Sequence, residues 1–132
     1  NQCLYFFQTG HDPLVFQPLV STTTYRRISE MAGYLGTAPQ ANVALSAYGR
    51  LWVAATSSDK TVVAFSDILA GQVWTTGTSG TLDVSTVWPN GADTITGLAA
   101  HNWCACSCFF TTIRHSYRHR LYCKGYNSKH WF

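Results

Sequence analysis

The chain has 132 residues, enough for one domain with a modest hydrophobic core. Hydrophobic residues make up 46% and aromatic residues 14%, so the composition excludes a disordered protein. Only 11% of the residues are charged, against about a quarter in ordinary globular domains, which indicates a surface covered by partners or by other parts of a larger chain. No run approaches the roughly 20 apolar residues of a membrane span, so we expect no membrane partner.

The net charge of +3 is unevenly distributed along the chain. Residues 1–100 carry four basic residues against six acidic ones, a net charge of −2, whereas residues 101–132 carry five basic residues and no acidic one. The second part also contains four of the five cysteines and four of the five histidines. We therefore divide the chain into residues 1–102 and a basic, Cys/His-rich tail at residues 103–132.

The first elements in chain order are short strands. The stretch "CLYFFQTGHDPLVFQ" contains two aromatic and β-branched runs around a turn at Gly10–Pro13. "LVSTTTYRRI" predicts a third strand. "SEMAGYLGTAPQAN" contains two glycines and a proline, which predicts a connection, with room for one helical turn at Ser29–Tyr34.

The strongest strand signals follow. "NVALSAYGRLWVAAT" predicts a strand, a turn near Tyr48–Gly49 and a second strand at Arg50–Ala55. The polar turn Ser57–Lys60 then connects to the strand Thr61–Asp67, so residues 48–67 are expected to form an antiparallel hairpin. The side chains expected to face a core are Leu51, Val53, Val63 and Phe65.

The segment between this hairpin and the tail is rich in glycine, and short alternating runs surround Leu82 and Ile95. Many short strands joined by Gly, Asn, Asp and Ser turns predict an all-β fold of the propeller, sandwich or barrel type. "VALSAYGRLWVAA" is partly repeated in "TGLAAHN", which favours partial propeller-like antiparallel blades. The repeat is interrupted where "WCACSC" replaces the expected glycine and strand.

Three readings of the tail use its residue types directly. His115 and His119 have zinc-ligand spacing, but the C-x-C-x-C pattern of Cys104, Cys106 and Cys108 does not suit a tetrahedral ion, so we expect no metal. Disulfides would leave one of five cysteines unpaired. The basic residues with interleaved aromatics are also typical of a nucleic-acid arm.

A fourth reading uses the genetic code. Reading the tail from the second base of each codon after Asn102 converts Trp103 to Gly and the alternating cysteines to Val or Ala. The result is a glycine followed by an apolar strand, the same order as in "SAYGRLWVA". We therefore favour an off-frame origin for residues 103–132.

Residues 44–102 resemble the nozzle, or tail tubular B-type, proteins of short-tailed bacteriophages. The resemblance rests on "YGRLWVA", on "FSD" with the Leu, Gly and Trp that follow it, and on "VWPNGADTITGLAAHN". It ends at Trp103, where the family continues with glycine and another apolar strand. The resemblance implies a structural virion protein, assembled in the host cytoplasm, that carries a propeller.

The resemblance also implies partners. The family forms a hexameric ring in a tail tube, contacts neighbouring tail and adaptor proteins, and lets DNA pass during ejection. It implies no cofactor and no small-molecule substrate.

Five residues are singled out as structural turn and hairpin positions. Gly49 forms the first hairpin turn; Ser66 and Asp67 end a strand, and the Asp67 carboxylate is expected to accept backbone N–H groups of the next turn. Gly71 is expected to supply a positive φ, and Trp74 to fold back over the hairpin.

Two alternatives involve carbohydrates. "SDILAGQVW" loosely resembles the Asp-box hairpin of sialidase-type propellers, although its spacing departs from that motif. No pair of converging carboxylates, nucleophile motif or phosphate loop is evident, so we expect no enzyme. A non-catalytic carbohydrate-binding module remains the alternative, and exposure of Trp52, Trp74 or Trp88 would favour it.

Overall fold

The computed structural model describes residues 2–20, 24–85 and 94–100, together with the backbone of residues 101, 104–110 and 120–123. Within these residues the chain is all-β, with ten strands and one turn of 3-10 helix at Ile28–Glu30. The strands are β1 Leu4–Gln8, β2 His11–Phe16, β3 Tyr25–Arg27, β4 Ala41–Ala47, β5 Arg50–Thr56, β6 Val62–Phe65, β7 Gly80–Asp83, β8 Thr94–His101, β9 Cys104–Phe110 and β10 Arg120–Cys123.

The strands form three antiparallel sheets, and each sheet is a meander of neighbours in sequence. Their orders are β1-β2-β3, β4-β5-β6-β7 and β8-β9-β10. The all-β prediction is therefore confirmed. No helix among the described residues has the length and apolar character needed to cross a membrane.

The first sheet differs in detail from the sequence prediction. The turn lies at Thr9–Gly10, and β2 already begins at His11, so Pro13 lies inside a strand. The ladder is irregular between Phe6 and Gln8 of β1, opposite this part of β2. Pro13 is accommodated there because an irregular position does not need its missing N–H. The third strand is shorter than predicted, and the helical turn begins one residue earlier.

The hairpin prediction is confirmed. β5 pairs antiparallel with β6, with Trp52 opposite Phe65 and Val53 opposite Ala64. The four side chains expected to face a core, Leu51, Val53, Val63 and Phe65, are all buried, and they belong to two different apolar clusters. Since successive side chains point to opposite faces, this register puts Leu51 and Val53 on one face and Val63 and Phe65 on the other.

Each face of the second sheet carries its own cluster. The first consists of Ile28, Ala38, Ala41, Leu51, Val53, Ala64 and Trp74. The second consists of Trp52, Ala54, Val63, Phe65, Val84 and Ile95. Side chains from β1 pack against the first cluster and side chains from β8 belong to the second. The second sheet therefore lies between apolar layers on both sides.

Candidate functional site

The predicted turn residues converge at one end of the second sheet, beginning with the β4–β5 turn. Ala47 pairs with Arg50, which leaves the two-residue loop Tyr48–Gly49. Both loop residues have positive φ, 53° and 70°. This is the backbone of a type I′ hairpin turn, which matches the twist of the flanking strands. A Cβ at Gly49 would also lie 3.3 Å from Leu69 Cδ2, so both the positive φ and the close contact favour glycine at this position.

Ser66 ends β6 by replacing a backbone acceptor with its own hydroxyl. Its N–H donates to the Leu51 carbonyl at 2.9 Å, as in a regular ladder. The Leu51 N–H, however, donates to Ser66 Oγ at 3.0 Å, and this hydroxyl donates in turn to the Asp67 carbonyl at 3.1 Å. The side chain is fully buried, so these bonds are needed to satisfy its polar atom.

Asp67 organises the loop that follows. Its Oδ1 accepts hydrogen bonds from the Ile68 N–H at 2.8 Å, the Thr78 N–H at 2.9 Å and the Thr78 hydroxyl at 2.7 Å. The prediction that this carboxylate caps the next turn is confirmed by the Ile68 bond. The Thr78 hydroxyl bond is the main cause of a lowered pKa for Asp67, and the two backbone bonds add to it. The charged carboxylate thus joins the two ends of the loop formed by residues 67–78.

Arg50 completes this arrangement, and the sequence analysis did not single it out. Its Nη1 donates to the carbonyl of Ser66 at 2.9 Å and to that of Thr78 at 2.7 Å, and its Nη2 donates to the Thr78 hydroxyl at 2.8 Å. The guanidinium also lies 5.4 Å from the centroid of the Phe65 ring. The only sequence signal for this role of Arg50 was its position directly after the Tyr48–Gly49 turn, because its partner Thr78 is distant in sequence.

Gly71 does not have the predicted positive φ, which is a correction. Two residues of this loop have positive φ, Leu69 at 55° and Gly77 at 68°. The Leu69 N–H donates to the Gly49 carbonyl at 2.7 Å. Gly71 is required for a different reason: a Cβ there would lie 2.7 Å from the Tyr5 hydroxyl oxygen and 2.8 Å from Leu51 Cδ1. The glycine allows close packing of the loop against β1 and β5.

Trp74 packs in the first apolar cluster, where it joins Leu51 and Val53 of β5. Its ring meets Phe7 edge-on, with centroids 6.3 Å apart. Its backbone N–H donates to the Leu35 carbonyl at 2.9 Å, while its buried indole Nε1 has no hydrogen-bond acceptor among the residues that the structure describes. The ring therefore lies over the hairpin and holds the end of the loop against the sheet.

The tryptophans offer no sugar platform among the described residues. Trp52 and Trp74 are each only 8% exposed, and Trp52 Nε1 donates to the Ala47 carbonyl at 3.0 Å. Trp88, the third candidate, lies outside the described residues. Stacking on a sugar needs a free ring face, which neither of the two described rings provides.

The tail is described only as backbone at β9 and β10. Cys104 pairs in register with His101, and Cys106 pairs with Cys123. Among the side chains that the structure describes, no group of three or more His, Cys, Asp or Glu residues could hold a metal ion. His115 and His119 lie outside the described residues, so the prediction that the tail binds no metal stays a prediction.

Comparison with known protein families, with curated proteins and with solved structures finds no match to this chain.

Proposed function

We propose that the chain acts, or its in-frame parent acts, as a structural subunit of a phage tail nozzle and has no catalytic role. The observation that carries this proposal is how the three sheets meet. β1 contacts β4, and β4 contacts β8. β8 also contacts β5. The first strands of three consecutive meanders are thus neighbours, β1 beside β4 and β4 beside β8. Meanders arranged around a common axis are the blades of a propeller, so the contacts favour a propeller-like architecture.

The composition of the converging strands supports a role in DNA passage. β1, β4 and β8 contain no Lys, Arg, Asp or Glu. Each phosphate that a protein neutralises adds affinity for DNA and slows its movement. Uncharged strands around the axis would avoid that retention, as a tube for DNA ejection requires.

The hydrogen bonds of three polar side chains near the β4–β5 turn support a structural role. Asp67, Ser66 and Arg50 all direct their polar atoms at neighbouring backbone groups or at Thr78. A general acid or base needs a polar atom that can reach a substrate. These three groups are instead engaged in holding a loop to the end of a sheet.

The β8–β9 connection supports the off-frame reading of the tail. His101 pairs with Cys104, so two residues connect these strands, as Tyr48–Gly49 connect β4 and β5. Residues 102 and 103 themselves lie outside the described residues. The restored frame puts glycine at position 103, which corresponds to Gly49.

The test compares two chains: the chain as given, and residues 1–102 continued in the restored frame. We expect the restored chain to assemble into rings, hexameric as in the family, visible by negative-stain electron microscopy. We expect it to bind duplex DNA poorly. The chain as given should form no rings and should bind DNA weakly, with an affinity that falls as salt rises, because its tail is basic.

Sequencing the nucleotides around codon 102 provides the control for the frame. Ring formation by the chain as given, or hydrolysis of a glycoside by either chain, would show that the proposal is wrong. The ring would sit in the virion, between neighbouring tail and adaptor proteins. Pull-down of those proteins by the restored chain alone is the expected partner result.

The alternative, a non-catalytic carbohydrate-binding module, depended on exposed tryptophans. Trp52 and Trp74 are buried, which favours the structural role, whereas Trp88, the third tryptophan named for this alternative, lies outside the described residues. A glycan array with the full chain separates the two functions. Selective binding of an oligosaccharide, lost when a surface aromatic residue is replaced, would support the alternative.

A further inference from the structure

The third sheet places two cysteines of the tail directly opposite each other. β9 is its middle strand, and β10 pairs with β9 at one edge. In the antiparallel β9–β10 ladder, Cys106 is the partner of Cys123. Among the strand pairings that the structure describes, this is the only one that sets cysteine opposite cysteine. The sequence left the pairing of its five cysteines open, and the register of the third sheet selects one pair.

The register position of this pair suits a disulfide. Opposite residues of an antiparallel ladder belong to the same face of the sheet. Their Cα atoms lie about 5.5 Å apart in a hydrogen-bonded pair and about 4.5 Å apart in a non-hydrogen-bonded pair. A disulfide joins Cα atoms that are about 4.4–6.8 Å apart. Cys106 and Cys123 therefore have a suitable separation whichever type of pair they form.

The remaining cysteines are less suitably placed. Cys104 and Cys108 are each two residues from the position opposite Cys123, and such diagonal neighbours lie about 7–8 Å apart. Cysteines two residues apart on β9 itself are separated by about 6.8 Å along the strand, at the upper limit for a disulfide. Cys3 lies next to the first sheet, where its Sγ accepts a hydrogen bond from Gln17 Nε2 at 3.6 Å.

We propose that Cys106 and Cys123 form an intramolecular disulfide in an oxidising environment. With glutathione disulfide as the oxidant, one cysteine thiolate attacks a glutathione sulfur and releases one glutathione. The second cysteine thiolate then attacks the mixed disulfide and releases the other glutathione. The two cysteines lose two electrons and two protons, and one glutathione disulfide becomes two glutathione thiols. A reducing compartment keeps both cysteines as thiols.

The bond fastens the edge strand of the third sheet. β10 is paired with β9 over residues 120–123, a short ladder whose last pair is the two cysteines. A covalent link there keeps the strands together when their hydrogen bonds open. Amide hydrogen exchange in β10 should therefore be more than tenfold slower in the oxidised chain than in the reduced chain. Equal exchange in the two forms would show that the bond does not fasten β10.

This modification goes beyond the proposed nozzle function and does not depend on it. The restored frame converts Cys106 to Val or Ala, so the bond belongs to the chain as given. Ring assembly is measured on the restored chain, and the disulfide is measured on the chain as given. Failure of either one leaves the other standing.

The experiment maps the bond in the full chain. The chain is incubated in an oxidising glutathione buffer with EDTA, its free thiols are blocked with N-ethylmaleimide, and it is digested with trypsin without reduction. Cys123 is then in the peptide of residues 121–124, and the other three cysteines of the tail are in the peptide that ends at Arg114. Mass spectrometry should find these two peptides linked, and fragmentation should assign the bond to Cys106.

Matched replacements test the register. Cys106→Ser should lower the fraction of Cys123 held in a disulfide more than tenfold. Cys104→Ser and Cys108→Ser make the same replacement two residues away on the same strand, and each should change that fraction less than twofold. Guanidinium removes the ladder, and the cost of closing a loop depends only weakly on its length. In guanidinium the wild-type Cys123 should therefore pair about equally with the three cysteines of β9.

Four results would overturn the proposal. Cys123 of the folded chain could stay a free thiol, could pair with Cys104 or Cys108 as often as with Cys106, or could pair with Cys3. The fourth is a preference for Cys106 that persists in guanidinium, because such a preference would not come from the register of β9 and β10.

Discussion

The first and second sheets differ in how many of their faces are covered, and their sequences record that difference. Residues 51–56 of β5 are all buried, and the stretch reads as a continuous apolar run ending in Thr56. In β1 the residues alternate between exposed and half-buried. A strand covered on both faces loses the alternation that a strand covered on one face keeps. Alternation therefore reports the number of covered faces, in addition to the presence of a strand.

The largest expected effect comes from comparing a buried ring that packs against the second sheet with an exposed ring of the first sheet. Trp74→Ala should lower the free energy of unfolding by about 3–5 kcal/mol, because it empties part of the first cluster. Tyr25→Ala, at an exposed position of β3, should change the free energy of unfolding by less than about 1 kcal/mol. Urea unfolding measures both variants. Equal losses would contradict the contrast between the two sheets.

The second prediction concerns the contact between the two sheets. Gly71→Ala should cost about 1–3 kcal/mol, since the new methyl group meets the Tyr5 hydroxyl and Leu51. Removing that hydroxyl with Tyr5→Phe should recover part of the loss, which a double-mutant cycle in urea measures.

Gly10→Ala is the matched control for this cycle. Gly10 has a φ of 82° and no neighbouring atom within 4 Å, so its replacement costs about 1–2 kcal/mol through backbone conformation alone. Tyr5→Phe should not alter that cost. A loss at Gly71 that is additive with Tyr5→Phe would show that crowding against the hydroxyl is not its cause.

The third prediction tests how β6 ends within the second sheet. Ser66→Ala leaves the Leu51 N–H without its acceptor in a buried position, which should cost about 1–3 kcal/mol. Ser79→Ala removes an exposed hydroxyl that donates to the Thr76 carbonyl and should cost less than about 0.5 kcal/mol. Thermal unfolding of the two variants side by side makes the comparison. A similar cost for both would refute the role given to Ser66.

The smallest expected effect is on pH dependence. The pKa of Asp67 in the folded chain lies below its ordinary value of 3.8, so its stabilising contribution is complete above that value. It is lost as pH falls through the lower, folded-state pKa. Asp67→Asn should therefore show a smaller loss of stability between neutral and strongly acidic pH than the wild type. Urea unfolding midpoints across that range provide the measurement.

Removing the hydrogen bond that is the main cause of the lowered pKa of Asp67 provides the control. Thr78→Val removes the hydroxyl bond, and carbon-detected NMR titration should show the pKa of Asp67 rising toward its ordinary value. An unchanged titration in Thr78→Val would contradict the assignment of the shift to that hydroxyl.

The local features of the second sheet could be predicted from the sequence. The β5–β6 hairpin and the Tyr48–Gly49 turn were both predicted, because each depends on residues that are close together in the chain. The two-faced burial of β5 was not, because it depends on what covers each face. To predict it, Trp52 and Ala54 on one face would have to be counted as core residues together with Leu51 and Val53 on the other face.

The candidate site was predictable only in part, for the same reason. The bond from the Ile68 N–H to Asp67 is local and was expected. The bonds from Thr78 to Asp67 cross 11 residues, and the bonds from Arg50 cross 16 and 28 residues, so no local sequence pattern predicts them. Gly71 was identified as necessary, but sequence alone could not distinguish a glycine needed for positive φ from one needed for close packing against Tyr5.

The meander order of the sheets has a consequence for synthesis at the ribosome. The first sheet ends at Arg27 and the second at Asp83, and every strand in them pairs with a neighbour in sequence. Such a chain has low contact order within each sheet, and each sheet can form as soon as its own residues have emerged. A change in the chain after residue 102 leaves every strand pairing of the first two sheets unaltered, and it affects only the pairings of β9 with β8 and with β10.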